Sequence, residues 1–344
     1  MPDTRLPHLP DGDLDVIVAR FGLADIRDIA YLSSGLMNRN WRITTDRNRY
    51  ALKQIIDVPL ATARRNLHVL AALTPRGLPA CRPLLTIDGD PVIEIHDRGY
   101  CLLPWLDGNH PAGPDLTMDH ACELGTALGR IHEVLNRLGA SAGLPTASTR
   151  PAARVIDPTA AISEANRYLA AAQADQGSPF DLAVIELLHH RKTLIDKYSP
   201  DRPADESPRG PFGWTHGDVP YRNVIWHNGH VAAVIDWDRI RVRPFAEEVA
   251  RTATIQFGSH HGLDLTRLAA FVTGYRTVVP IAIDDLADGA HRPWWKRLSD
   301  FWHLDFHYDR GDHGCDDLFL SGEALLDWWT DNRDAVQDAF AAQP

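Results

Sequence analysis

The chain has 344 residues and carries 35 basic against 46 acidic side chains, a formal net charge of −11. That length supports two units with sizeable cores. The acidic balance argues against a general nucleic-acid binder, whose phosphate contacts need basic surface, and suits a cationic small-molecule partner.

Cys81, Cys101, Cys122 and Cys315 are scattered without C-x-x-C spacing. They read as buried thiols, not as a disulfide frame or a zinc site. The opening MPDTRLPHLPDGDLD has no basic-then-apolar signal region. No apolar run approaches the ~18 residues of a membrane helix. The expectation is a soluble, cytoplasmic protein with no membrane or nucleic-acid partner, acting as a monomer or homodimer.

In chain order, DGDLDVIVARFGL has helical apolar spacing. DIRDIAYLSSG, NRNWRITTD and RYALKQI read as successive antiparallel strands. ATARRNLHVLAAL is helical and PRGLP stops it. PVIEIHDRGYCLLPWLDG reads as a further hairpin with an extended exit, which completes a five-stranded sheet with one inserted helix. From Pro114 the character changes. MDHACELGTALGRIHEVLNRL is an amphipathic helix with Leu124, Leu128, Ile131 and Leu135 on one stripe. Two more helices, a polar proline-rich loop, and a helical, tryptophan-rich end follow. The fold class is α+β. The expected division is residues 1–104 as a small β-rich lobe and 105–344 as a large helical one.

Between the helices and that end lies WTHGDVPYRNVIWHNGHVAAVIDWD. Asn228-Gly229 is a type I′ turn pair, because both central positions need φ > 0. Closing the hairpin there pairs His227 with His230 and, without interruption, Asn223 with Val234. Asp236 would then share a face with Asn223, as diagonal neighbours roughly 7–8 Å apart. An amide and a carboxylate form an oxygen-only pair that suits Mg²⁺ better than zinc. Asp218, just before the hairpin, is placed to face a substrate as a base.

H-G-D-x-x-x-x-N, a hairpin and I-D-W-D together resemble the aminoglycoside phosphotransferase-like family, with its choline-kinase-like and type II homoserine-kinase-like members. The resemblance implies the protein-kinase-like fold, with Asp218 orienting or deprotonating a hydroxyl and with Asn223 and Asp236 holding Mg²⁺. Protein kinases divide the labour in the same way. It further implies that Lys53, in YALKQI, steadies the phosphates of ATP or GTP. A strand lysine that simply faces solvent is the ordinary alternative.

The loop SSGLMNRNW offers Ser33, Ser34, Gly35 and Asn38 as phosphate-cradling candidates, since small residues let backbone N–H groups approach an anion. LLPWLDG resembles the hinge between lobes, with the Pro104 carbonyl and the Leu106 N–H as readers of adenine. One departure stands out. The family pairs its strand lysine with a glutamate on the next helix, yet no Asp or Glu occurs between Val58 and Ile87. Asn66 or His68 occupies that region, and Asp57 or Glu94 would have to supply the acid.

SDFWHLDFHYDRGDHGCDDLF is dense in acids and holds one arginine. Asp300, Trp302, Asp305 and Asp309 are candidates for an amine-bearing acceptor, or else members of solvated faces and packing. His303 and His307 stand at chelating helical spacing. His216 is expected to brace the catalytic loop through hydrogen bonds. The function expected is transfer of the γ-phosphate of ATP to a hydroxyl of a small, amine-bearing molecule such as an aminoglycoside-type antibiotic. A homoserine or choline-like alcohol kinase, and a non-catalytic nucleotide-binding regulator on the same fold, are the alternatives.

Overall fold

The computed structural model describes residues 8–10, 12–33, 38–175 and 177–342. Two compact units emerge. One gathers residues 1–111, 129–147 and 214–241, and the other 112–128, 148–213 and 242–344.

The first unit opens with helix α1 (Asp13–Phe21), followed by strands β1 (Ile26–Leu32), β2 (Arg39–Thr45) and β3 (Arg49–Ile55). Helix α2 (Leu60–Leu73) and strands β4 (Ile93–Ile95) and β5 (Arg98–Pro104) come next. The expected antiparallel five-stranded sheet is present, in the order β1-β2-β3-β5-β4. Side chains on a strand alternate between faces, and Trp41, Ile43 and Leu52 use that alternation to meet Ile17, Phe21, Tyr100 and Leu102 in one buried cluster.

α1 is fastened to the sheet by a buried acid. Asp13 is 2 % exposed. It accepts from Arg98 Nε and Nη2 at 2.9 Å each and from Tyr100 Oη at 2.6 Å. The bonds from Arg98 hold its carboxyl below the usual range against the opposing effect of burial. A carboxylate paired in this way can be buried because its charge is matched.

The Asn228-Gly229 hairpin belongs to this same unit. Its strands are Val224–His227 and His230–Val234, with Asn228 at φ 52° and Gly229 at φ 81° as a type I′ turn requires. The register differs from the uninterrupted pairing. His227 meets His230 and Trp226 meets Val231, but Ile225 meets Ala233 and Val224 meets Val234. A β-bulge slips one extra residue, Ala232, into the second strand, and bulges break ladder parity. Asn223 therefore lies opposite Ile235, whose N–H donates to its carbonyl at 2.8 Å, and the ladder does not give Asn223 and Asp236 the shared face expected of uninterrupted pairing.

The second unit is mainly helical. Its helices include Pro158–Asp175, Pro179–Tyr198, Phe245–Phe257, Leu265–Arg276, Ile283–Ser299 and Asp316–Asp331. Trp294 and Trp295 are each 1 % exposed and belong to the core. Arg191 forms a buried pair with Glu323. Among the described residues, no helix is long and apolar enough to cross a membrane.

Candidate active site

The candidate base, metal donors and strand lysine lie within the first unit. The H-G-D loop owes its shape to Gly217, whose φ is +92° and where an added Cβ would sit 2.3 Å from the Arg239 carbonyl. Only glycine combines that backbone with that approach. His216 is fully buried. The Asp218 N–H donates to its Nδ1 at 3.2 Å, so Nδ1 is the acceptor and Nε2–H donates to the Ile235 carbonyl at 3.1 Å. A neutral histidine in a fixed tautomer thus ties the Asp218 loop to the residue preceding Asp236.

Asn223 Nδ2 donates to the Asp218 carbonyl at 3.2 Å. With the nitrogen turned there, Oδ1 is the end of the amide left to meet a cation. Asp236 follows in the left-handed region, at φ 65° and ψ 61°. That conformation is uncommon for a non-glycine residue and marks a position held by its surroundings.

Lys53 stands on β3 opposite Asn40 and Cys101. Its ammonium lies 2.7 Å from Asp236 Oδ1 and 2.7 Å from Asp238 Oδ2. Burial would lower the lysine's pKa, but the two carboxylates hold it above the usual range. Burial likewise works against Asp236, whose carboxyl is kept below the usual range by Lys53. Cys101, facing them, is pushed up to about 12 by burial and stays a thiol.

The unfilled glutamate position has a direct answer. Asp57 pairs with Arg239, and Glu94 with Arg64. Neither reaches Lys53; Asp236 and Asp238 do. On α2, Asn66 is 2 % exposed and donates through Nδ2 to the carbonyls of Trp237 at 2.9 Å and Asp238 at 3.1 Å. Its own oxygen accepts from Arg65. The helix that would ordinarily present an acid instead grips the backbone of the I-D-W-D segment.

Asn38 is drawn into the same network. Its Oδ1 accepts from the N–H groups of Ile56 at 2.8 Å and Asp57 at 3.1 Å, and its Nδ2 donates to Asp238 Oδ2 at 2.9 Å. Its amide thus serves protein partners at both ends. Ser33 sits in the turn after β1, whereas Ser34 and Gly35 lie outside the described residues. Pro104 closes β5 opposite Tyr50, and Leu106 follows outside any regular element. The exit from the sheet is tied to the hairpin: Asn109 and Trp226 exchange backbone hydrogen bonds of 3.0 and 2.9 Å. Gly108 permits this, since a Cβ there would meet the Trp226 carbonyl at 2.4 Å.

The acceptor candidates belong to the second unit and have local partners. Asp309 accepts from Arg167 Nη1 at 2.8 and 3.0 Å and from Tyr168 Oη at 3.2 Å. Asp305 pairs with Arg310. Asp300 accepts from the Trp302 N–H at 3.1 Å, and Trp302 is 45 % exposed and stacked on His303. His303 and His307 do not form a pair on an α-helix, because residues Asp305–Asp309 adopt a π-helical turn.

Sequence reasoning missed Asp238, and it placed Asn66 at the glutamate region without its role. The acid two residues beyond Asp236 in I-D-W-D was the available signal for the first. For the second, the absence of any acid on α2 was the signal, read as a gap and not as a replacement.

A lysine on the third strand of a five-stranded antiparallel sheet, an H-G-D loop and an acid just after a hairpin are features of a protein-kinase-like phosphotransferase. The chain belongs to the phosphotransferase enzyme family, whose model matches residues 28–281. It is a small-molecule phosphotransferase. A homoserine kinase of Methylobacillus flagellatus is 23% identical over 290 residues, covering 82% of each chain. Among solved structures, a spectinomycin phosphotransferase in complex with ADP and spectinomycin superposes with a TM-score of 0.61 at 15% identity, over 98% of this chain and 99% of that one. A microcompartment-associated aminopropanol kinase superposes with a TM-score of 0.58 at 16% identity, over 95% of this chain and 100% of the other.

Proposed function

We propose that the protein transfers the γ-phosphate of ATP to a hydroxyl of a small, amine-bearing molecule, with Asp218 as the group that positions and deprotonates the hydroxyl. The observation that carries this reading is Lys53 held at 2.7 Å from both Asp236 and Asp238. This places a fixed cation beside a carboxylate in the unit that also carries the Asp218 loop. Lys53 would steady the nucleotide phosphates. Asn223 Oδ1 and Asp236 are proposed as oxygen donors to a hard divalent cation such as Mg²⁺ on the chemistry of the two groups, not on a shared face of the hairpin. Bound there, such an ion would neutralise charge on the phosphates. His216 keeps the Asp218 backbone in place. Ser33, Ser34, Gly35 and Asn38 are proposed to border the phosphates. The Pro104 carbonyl and Leu106 N–H are proposed to meet the base, adenine or guanine. The division of labour proposed is nucleotide binding by residues 1–104 and acceptor binding by parts of 105–344.

The amine preference rests on the net charge of −11 and on the acceptors of the relatives. The acceptors named for the relatives above each carry an amine as well as a hydroxyl. An aminoglycoside-type antibiotic is one member of that class. An amino-acid alcohol is the second reading, favoured by the homoserine kinase relative's coverage of both chains. Its carboxylate would want a cation, and Arg222, exposed just past Asp218, is the group at hand.

The test is transfer from γ-labelled ATP across a panel of aminoglycosides, amino alcohols, homoserine and alcohols that lack an amine. Asp218→Asn is expected to retain ATP binding while losing about 10²–10⁴-fold in turnover. Equal turnover by the variant would overturn the assigned base. Turnover confined to alcohols without an amine would overturn the acceptor class.

A further inference from the structure

Away from the phosphotransfer groups, the geometry points to a second cation site, for zinc, built from His307, His313 and Asp316. Among the described residues these form the one group of three potential ligands whose donor atoms all lie within 4.8 Å of one another. His307 Nδ1 is 2.9 Å from Asp316 Oδ1, and His313 Nδ1 is 3.4 Å from Asp316 Oδ2. The two Nδ1 atoms are 3.1 Å apart. Ligands about 2.0–2.2 Å from a tetrahedral ion stand about 3.3 Å from one another, so the spacing is that of one coordination shell.

A divalent cation bound there would take one donor atom from each of the three residues. Two imidazoles with one carboxylate suit zinc far better than Mg²⁺, which prefers oxygen.

The local fold aims the ligands. The π-helical turn Asp305–Asp309 presents His307, and Phe180 stacks on its ring at 4.4 Å. Asp312 accepts from the Gly314 N–H at 2.9 Å and shapes the loop that carries His313. Asp316 begins the helix Asp316–Asp331. His307 is 11 % and Asp316 21 % exposed, while His313 is 68 % exposed. An ion here would have two sheltered ligands and one at the surface, with water able to complete the shell. It would clip the Asp305–Asp309 turn to the start of that helix.

The experiment uses tag-free full-length protein stripped by chelator, titrated with Zn²⁺ by calorimetry and with Co²⁺ by visible absorption. One ion per chain is expected, with a rise in thermal midpoint on adding Zn²⁺. His313→Ala, a surface substitution, should weaken Zn²⁺ binding at least about tenfold and abolish that rise. Asp316→Asn should do the same, and His260→Ala, altering an exposed histidine elsewhere, should change neither. Failure of the wild type to bind Zn²⁺ or Co²⁺ stoichiometrically, or wild-type binding by both ligand variants, would overturn the site.

Discussion

Lys53 Nζ and Asp238 Oδ2 lie 2.7 Å apart, with side chains 12 % and 13 % exposed. The same oxygen also accepts from Asn38 Nδ2 at 2.9 Å. Asp238 is thereby the less exposed of the two carboxylates that fix the lysine, since the Asp236 side chain is 44 % exposed. A carboxylate held from a second side and shielded from water anchors a charge more firmly than one open to solvent.

Substitution of Asp238 should therefore act on nucleotide handling. Asp238→Asn keeps the shape and removes one of the two charges on Lys53, which then leans toward Asp236. We expect kcat/KM for ATP to fall about 10- to 100-fold, or about 1.4–2.7 kcal/mol. Steady-state kinetics with ATP varied, and a thermal scan to show the fold intact, measure this. Unchanged kinetics would mean that Asp236 positions the lysine alone.

Restoring an acid on α2 should harm the protein. Asn66 Nδ2 donates to two carbonyls, of Trp237 and Asp238. Asn66→Asp deletes both donors and buries an anion against those oxygens. A loss of about 2–4 kcal/mol in unfolding free energy is expected, measurable by urea denaturation at neutral pH. A variant as stable as the wild type, with higher activity, would mean that this position can still take an acid.

The elements of the first unit were legible because each is short and strongly patterned. The alternation Trp41, Ile43 sets the core face of β2, and Asn228-Gly229 sets the turn. Local rules fail where tertiary contact decides. The extra residue at Ala232 changes the pairing of Asn223, and nothing in HVAAVI marks it. Asn38 reads as a loop residue from its neighbours, yet its partners Ile56, Asp57 and Asp238 are distant in sequence. His307 found His313 and not His303, because a π-helical turn alters the helical spacing.

Gly217 should tolerate no side chain. Gly217→Ala would carry a left-handed backbone and a Cβ 2.3 Å from the Arg239 carbonyl, a backbone atom that cannot swing away. We expect a loss of about 2–4 kcal/mol from the two effects together. Activity should fall as well, because the Asp218 loop must shift to relieve the clash. Urea midpoints and turnover on the folded fraction measure the two effects separately. A change in stability below about 0.5 kcal/mol would show that the loop has slack the structure does not suggest.

Acid should weaken the second unit through His303. Burial, aided by the cations Arg297 and Arg191, pushes this histidine down to about 4. The unfolded chain takes up the proton near pH 6.5, while the folded one stays neutral until about pH 4. Stability is thus full above the unfolded pKa and declines as pH falls through 6.5 toward 4, where the loss levels off. Between pH 7.5 and pH 5 the contribution is about 1–2 kcal/mol once partial solvent screening is allowed for. Other groups titrate in this range, so the readout is a difference: urea unfolding of wild type and His303→Leu at both pH values. The variant should lose less stability on acidification by that amount. Equal losses in the two proteins would place the folded-state pKa of His303 near its ordinary value.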